Sequence, residues 1–373
     1  MTGIDTPMQR IATTDDLTAQ ALAQYDAIID VRSPSEFAED HLPGAINLPV
    51  LNDAERAQVG THYTQVSAFE ARRMGAAITA RNISLHIATA LADKEKGFRP
   101  LVYCWRGGMR SQSMATILAA VGWKTTLIDG GYRTWRRQVS RALDGDGSLP
   151  IILVDGQTGT AKTRLLHVLA ERDEQVIDLE GIAHHRGSIF GNFTDRPQPS
   201  QKAFETAVWA VLRDIDPGRP VYVEAESRQV GQRRVPPRLW SAMQAAPRLE
   251  IRAPVAERAR YLTTAYPDLA RDSGKLLSAI DGLRRFHAGT EICTWRTMAE
   301  TGEFTALAEA LVMAHYDPAY DRARKRDGEP ENRTVLETDS LDDAALERLA
   351  DRIMTGPRAH STAPELSGDR SAR

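Results

Sequence analysis

Cys104 ends an apolar run and opens the stretch Cys-Trp-Arg-Gly-Gly-Met-Arg-Ser, with a helical pattern over Ser111–Gly122 directly after it. The N–H groups of a glycine-containing loop, the start of a helix and the guanidiniums of Arg106 and Arg110 would together stabilise a thiolate. Cys104 therefore reads as a nucleophile rather than as the buried structural cysteine that a free thiol more often is. The spacing Cys-x5-Arg serves two chemistries. One is rhodanese-type transfer of sulfur or selenium through a persulfide-like intermediate, the other phosphoester cleavage through a thiophosphate. The loop alone does not choose between them, although Tyr103 stands where a cysteine phosphatase carries histidine.

A second set of residues points to phosphate. Gly156-Gln-Thr-Gly-Thr-Ala-Lys162-Thr163 follows an apolar run and opens a helical one, the context that the phosphate-binding loop G-x-x-x-x-G-K-[ST] requires. Gly156, Gly159, Lys162 and Thr163 are in register to hold a diphosphate, with Thr163 also able to ligate Mg²⁺. Ala161 stands in place of the last glycine, and its methyl weighs against nucleotide hydrolysis more than against diphosphate binding. Glu224 and Glu226 close the apolar run PVYVEAES, where a carboxylate could serve as acid, base or metal neighbour, or simply be solvated. In DLEGIAHHRGSIFG the adjacent His184 and His185 rarely face one ion, so with Arg186 they suggest a loop touching phosphate or RNA. Arg228, with Arg233, Arg234, Arg238, Arg284 and Arg285, could neutralise an RNA backbone or lie on solvated helix faces. Cys293 lacks flanking glycines and reads as a small buried side chain, less as a resolving thiol.

Apolar runs at Tyr25–Arg32, Arg99–Gly108 and Lys124–Gly131 predict short buried strands separated by helices, hence a parallel α/β sheet. The stretch DGDGSLP (Asp144–Pro150) has no periodicity and marks a boundary. Beyond it the pattern restarts with Ile151–Gly156, the phosphate loop and a helix. The expected organisation is one domain over 14–141, a second over 150–330 with a helical extension, and a C-terminal strand, helix and flexible tail over 331–373. With 373 residues, two or three domains are expected. Lys plus Arg number 47 against 50 for Asp plus Glu, so any RNA partner must use a local patch and DNA binding is not expected. Two cysteines exclude a disulfide framework, and no run is long and apolar enough for a membrane span; the cytoplasm is the expected compartment.

Residues Ile28–Pro49 (IIDVRSPSEFAEDHLPGAINLP) and Ile128–Trp135 (IDGGYRTW) resemble the two signatures that bracket the active loop of rhodanese domains, over about residues 14–141. Asp30, Arg32, His41, Pro43, Gly44 and Asn47 read there as scaffold. Taken in order with DGQTGTAKT, LEGIAHHRGSIFG, VEAESRQVG and HYDPAY (His315–Tyr320), the chain resembles the tRNA 2-selenouridine synthase family over nearly all of residues 14–330. The resemblance implies a rhodanese-like parallel-sheet domain followed by a P-loop NTPase-like α/β domain with a helical C-terminal part. It further implies replacement of sulfur by selenium in 2-thiouridine at wobble position 34 of the tRNAs for Lys, Glu and Gln. Selenophosphate would be the donor, and an S-geranyl intermediate would come from geranyl diphosphate. Cys104 would carry selenium, Arg106 and Arg110 would orient selenophosphate, and Trp105 would stack on the flipped base. No tightly bound cofactor is expected, Mg²⁺ is an option at Thr163, and a selenophosphate-producing enzyme is a conceivable partner. The alternative is a rhodanese-type sulfurtransferase or Cys-x5-Arg phosphatase fused to an ATP-binding P-loop module.

Overall fold

The computed structural model describes residues 11–145, 148–188, 190–193, 196–266, 272–327 and 332–356. The chain divides into two compact units. The first takes Met1–Gly145 together with Pro199–Ala210, and the second takes Asp146–Gln198 and Val211–Arg373.

The first unit is an all-parallel sheet of β1 (Ala12–Thr14), β2 (Ala27–Asp30), β3 (Ala45–Asn47), β4 (Pro100–Tyr103) and β5 (Thr126–Ile128), in the order β1-β5-β4-β2-β3. All four residues of the central β4 are buried, as an unbroken apolar run in a parallel sheet requires. The helix Met109–Val121 follows β4 and stops at Gly122, whose φ of 103° is the left-handed turn that glycine adopts without steric cost. Ile29, Val31, Val102, Met114, Leu118 and Leu127 form the core. The segment Pro199–Ala210 was not foreseen as part of this unit. Within it, Thr206 Oγ1 donates to the buried Asp40 Oδ2 at 3.1 Å, and Trp209 meets Trp135 edge-on at 4.8 Å.

The second unit is also all-parallel in its main sheet: β6 (Ile151–Gly156), β7 (Gln175–Ile177), β8 (Val221–Glu224), β11 (Arg248–Arg252) and β12 (Arg333–Glu337), in the order β12-β11-β6-β8-β7. A small hairpin pairs β9 (Gln229–Val230) with β10 (Arg233–Arg234). Where the sequence sets residues 331–373 apart, β12 pairs with β11 along all five residues and so completes this unit's sheet. Its partner β11 escaped notice because RLEIR is charged. The buried Glu250 at its centre accepts from Arg252, Arg324 and Arg333, which satisfies a carboxylate inside a sheet. Helices from Val255 to Asp327 form the helical part, packed around Leu276, Ile280, Ile292, Trp295, Leu307 and Leu311. The tail expected over 357–373 lies outside the described residues. Among the described residues, no helix is long and apolar enough to cross a membrane.

Candidate functional site

The first unit carries Cys104 where β4 gives way to its loop. The residue is 3% exposed. Ser111 Oγ, fully buried one turn into the following helix, donates to Cys104 Sγ at 3.1 Å, and that helix begins at Gly108 without a side-chain cap. Sulfur thus meets a hydroxyl donor at the start of an uncapped helix, with Gly108 O 3.8 Å away as acceptor for its own S–H. Beneath the loop, Gly131 (φ 61°) approaches so closely that a Cβ there would sit 2.3 Å from Cys104 O and 2.7 Å from Gly107 N. The N–H groups of Tyr132 and Arg133 then donate to the carbonyls of Cys104 and Trp105 at 2.8 and 3.2 Å. IDGGYRTW is therefore the floor of the cysteine loop.

The two loop arginines differ. Arg106 is exposed, whereas Arg110 is engaged by Glu36, with Nη1 to Oε2 at 2.7 Å. Arg110 is thus not a ligand-ready guanidinium like Arg106. Glu36 is the third helical residue of a capping box with Ser33, which fixes its carboxylate in place. Burial pushes the Glu36 carboxyl up, but the hydrogen bond and charge of Arg110 outweigh that and hold it below the usual range. Trp105 is half-buried and stacks on Tyr132 at 5.2 Å. The scaffold residues behave as scaffold. Arg32 holds Asp30 through Nε at 3.0 Å and Nη2 at 2.6 Å, and Asn47 Nδ2 bonds the carbonyls of Asp30 and Arg32.

In the second unit the phosphate loop links β6 to the helix Lys162–Glu171. Gly156 (φ 148°) and Gly159 (φ 86°) have neighbours that a Cβ would strike, at 2.5 Å on Thr160 Oγ1 and 2.9 Å on Arg258 O. Ala161 takes the left-handed conformation, φ 59°, that glycine would take without strain, and its methyl is buried in the core. The substituted alanine therefore keeps the loop's shape. Lys162 Nζ donates to Gly156 O at 2.8 Å, and Thr163 Oγ1 donates to Glu180 Oε2 at 2.7 Å. Arg258, 1% exposed, fixes the loop from behind. Its Nε bonds Thr158 O, its Nη1 bonds Gln157 Oε1, and both Nη atoms hold Asp317 of the HYDPAY segment. Tyr320 of the same segment donates to Asp155 at 2.9 Å.

The carboxyls sort differently from the expectation. Glu224 is fully buried and accepts the Leu179 N–H at 2.9 Å; burial, with Asp178 and Glu180 near, pushes it well above the usual range. Glu224 is thus an internal support, whereas Lys162 lies near enough to Glu226 to oppose the upward push of burial on that carboxyl. Its counterpart is Glu180, a residue not singled out in the sequence. A Cβ on Gly187 would lie 2.5 Å from Glu226 Oε1 and 2.7 Å from Glu180 Oε1. Burial first, then the Glu226 charge, push Glu180 up to about 8. The signal available was an acid three residues beyond β7, opposite the acidic end of its neighbour β8.

His184, His185 and Arg186 do not act as one group. His185 is buried, and its Nδ1 accepts from the Gly187 N–H at 3.1 Å, while burial keeps the ring below its ordinary value. It shapes the turn and is not a surface contact. His184 Nδ1 lies 3.0 Å from Pro197 O. The Arg186 guanidinium lies over the rings of Phe193 at 4.2 Å and Tyr266 at 4.6 Å. Arg228 is exposed. Cys293 is exposed, contrary to the buried reading: the inward face of its helix, Gly289–Thr301, is Ile292, Trp295 and Ala299, and Cys293 falls on the other side. Among the described residues, no three of His, Cys, Asp and Glu gather as a metal site.

Beside the phosphate loop the structure has an open, mostly apolar cavity, with Thr158 of the loop at one side and Phe190, Leu262, Tyr266, Phe304 and Tyr316 among its walls. Nothing in the sequence pattern announced it, because its wall residues come from four separated segments.

Comparison with known proteins fits both halves. Residues 14–138 match the rhodanese-like domain, and residues 149–291 match the tRNA 2-selenouridine synthase AAA domain. The tRNA 2-selenouridine synthase of Chromohalobacter salexigens is 36% identical over 65% of this chain and 65% of its own length. That of Cronobacter sakazakii is 36% identical over 69% of each chain, and that of Marinobacter nauticus 32% identical over 79% of this chain and 87% of its own. The match thus spans just under two thirds of the Chromohalobacter relative and 64% of one from Nitrosomonas europaea. With relatives of one name at this identity and coverage, the chain belongs to the tRNA 2-selenouridine synthase family.

Proposed function

We propose that this protein replaces sulfur by selenium in 2-thiouridine of tRNA in the cytoplasm, with the two units dividing the work. The observation that supports this most is the phosphate loop set beside an apolar cavity, in a chain that also carries a cradled cysteine. A diphosphate with a short prenyl tail, geranyl diphosphate, suits such a pair of features: the loop's amides and Lys162 for the anion, the cavity for the tail. Transfer of the geranyl group to sulfur makes the sulfur a better leaving group, which lowers the barrier to its later replacement. Selenophosphate, from an enzyme that produces it, would be the selenium donor.

In this reading Gly156, Gly159 and Lys162 hold the diphosphate, and Arg186 lies over Tyr266 of the cavity wall. Thr163, Glu180 and Glu226 form a set of oxygen ligands suited to Mg²⁺, which when bound would neutralise phosphate charge. In the first unit Cys104 takes part in selenium transfer, Ser111 supports its sulfur and the exposed Arg106 meets the selenophosphate. Trp105 offers a face for a base flipped from the anticodon loop of tRNA for Lys, Glu or Gln.

Calorimetry separates this from an ATP-binding module. Geranyl diphosphate should bind wild type at least about tenfold more tightly than inorganic diphosphate, because the tail enters the cavity. ATP binding in preference to both would contradict the reading.

A further inference from the structure

The cavity next to the phosphate loop is mostly apolar, and four rings, Phe190, Tyr266, Phe304 and Tyr316, share its wall with leucines such as Leu262 and Leu311. Tyr316 closes a five-residue π-helical turn, Val312–Tyr316, and wide turns of this kind interrupt helices mostly where function needs a displaced side chain. The two tyrosines keep their protons. Burial pushes the Tyr266 hydroxyl up to about 12 and that of Tyr316 further, and Ser188 Oγ lies 3.5 Å from the Tyr266 hydroxyl. Their rings are therefore neutral faces of negative electrostatic potential, which attract a cation. Tyr266 already carries one cation, the Arg186 guanidinium at 4.6 Å.

An apolar tail alone would be served as well by leucine and isoleucine. Rings add an electrostatic advantage that leucine lacks when the guest becomes positive. We infer that the aromatic wall, Tyr316 included, stabilises an allylic cation formed as the diphosphate departs, so that the prenyl transfer is dissociative. This rests on the reading of the loop and cavity as a site for an allylic diphosphate.

In that step the bond between C1 of the prenyl chain and the bridging oxygen breaks, and its electron pair leaves with the diphosphate held by Lys162 and the loop amides. The positive charge spreads over the allylic carbons against the rings. A lone pair of the thiocarbonyl sulfur then forms the S–C1 bond, and the N3 proton of the base passes to solvent, leaving a neutral S-alkylated base. Nothing is oxidised or reduced.

The test compares transfer to 2-thiouridine tRNA from geranyl diphosphate and from its 2-fluoro analogue, in which fluorine withdraws electrons from the allylic carbons. The expected result is that the analogue competes for binding normally but reacts more than about a hundredfold more slowly. Tyr316→Leu should lower kcat by about tenfold to thirtyfold with KM nearly unchanged, the size of one desolvated cation–ring contact. Tyr316→Phe, which keeps the ring, should recover most of that loss. An analogue that reacts within about threefold of geranyl diphosphate, or a Tyr316→Phe enzyme as slow as Tyr316→Leu, overturns the inference while the prenyl-transfer reading stands. If wild type binds inorganic diphosphate but transfers no geranyl group, that reading itself fails and the inference with it.

Discussion

Cys104 is held by contacts that can be removed one at a time. Ser111 supplies the single side-chain donor to its sulfur among the described residues, at 3.1 Å. A hydrogen bond to an anionic sulfur contributes about 1 kcal/mol or more. In a Cys293→Ser background, which removes the exposed thiol, Ser111→Ala should slow alkylation of Cys104 by iodoacetamide near neutral pH by about fivefold. An unchanged rate would show that the hydroxyl does not support the thiolate. Gly131 is a backbone question: a methyl placed 2.3 Å from Cys104 O cannot be accommodated without moving the loop. Gly131→Ala should therefore cost about 2 kcal/mol or more of stability, read as a fall in Tm, and abolish Cys104 reactivity. Much of this site was legible from residue types, because Cys, Arg and Gly within a few positions have few other uses. The engagement of Arg110 by Glu36 was not, since 74 positions separate the partners.

At the level of elements, two buried charges tie the second unit together. Glu250 on β11 sits between Arg252, Arg324 and Arg333; although burial pushes its carboxyl up, those guanidiniums win and bring it to about 2. A carboxyl whose folded value lies below its unfolded one adds stability that is present above pH about 4.3 and lost as pH falls toward 2. Glu250→Gln should thus flatten the acid limb of unfolding between those values, removing on the order of 2–3 kcal/mol at neutral pH. An acid limb identical to wild type would contradict this. Arg258 is the other case, buried against Asp317 and the carbonyl of Thr158. Arg258→Met should destabilise the unit by about 3–5 kcal/mol and weaken diphosphate binding measured by calorimetry. Strands β2, β4, β5, β6 and β8 were readable as apolar runs, and HYDPAY was visible as a motif. The strand expected beyond 331 is β12, whereas β11 was hidden because the charge of Glu250 is neutralised by residues far away in sequence, a tertiary fact that period-counting does not see.

For the whole molecule, we propose one chemistry for each unit: prenyl transfer at the phosphate loop and its cavity, chalcogen exchange at Cys104. The most direct test is mass spectrometry of nucleosides from tRNA bearing 2-thiouridine after incubation with geranyl diphosphate and selenophosphate. Wild type would be compared with Cys104→Ala and Lys162→Ala. The account predicts 2-selenouridine from wild type, accumulation of S-geranyl-2-thiouridine from Cys104→Ala, and unchanged 2-thiouridine from Lys162→Ala. Untouched 2-thiouridine from wild type with both donors present, or 2-selenouridine from Cys104→Ala at the wild-type rate, would contradict it.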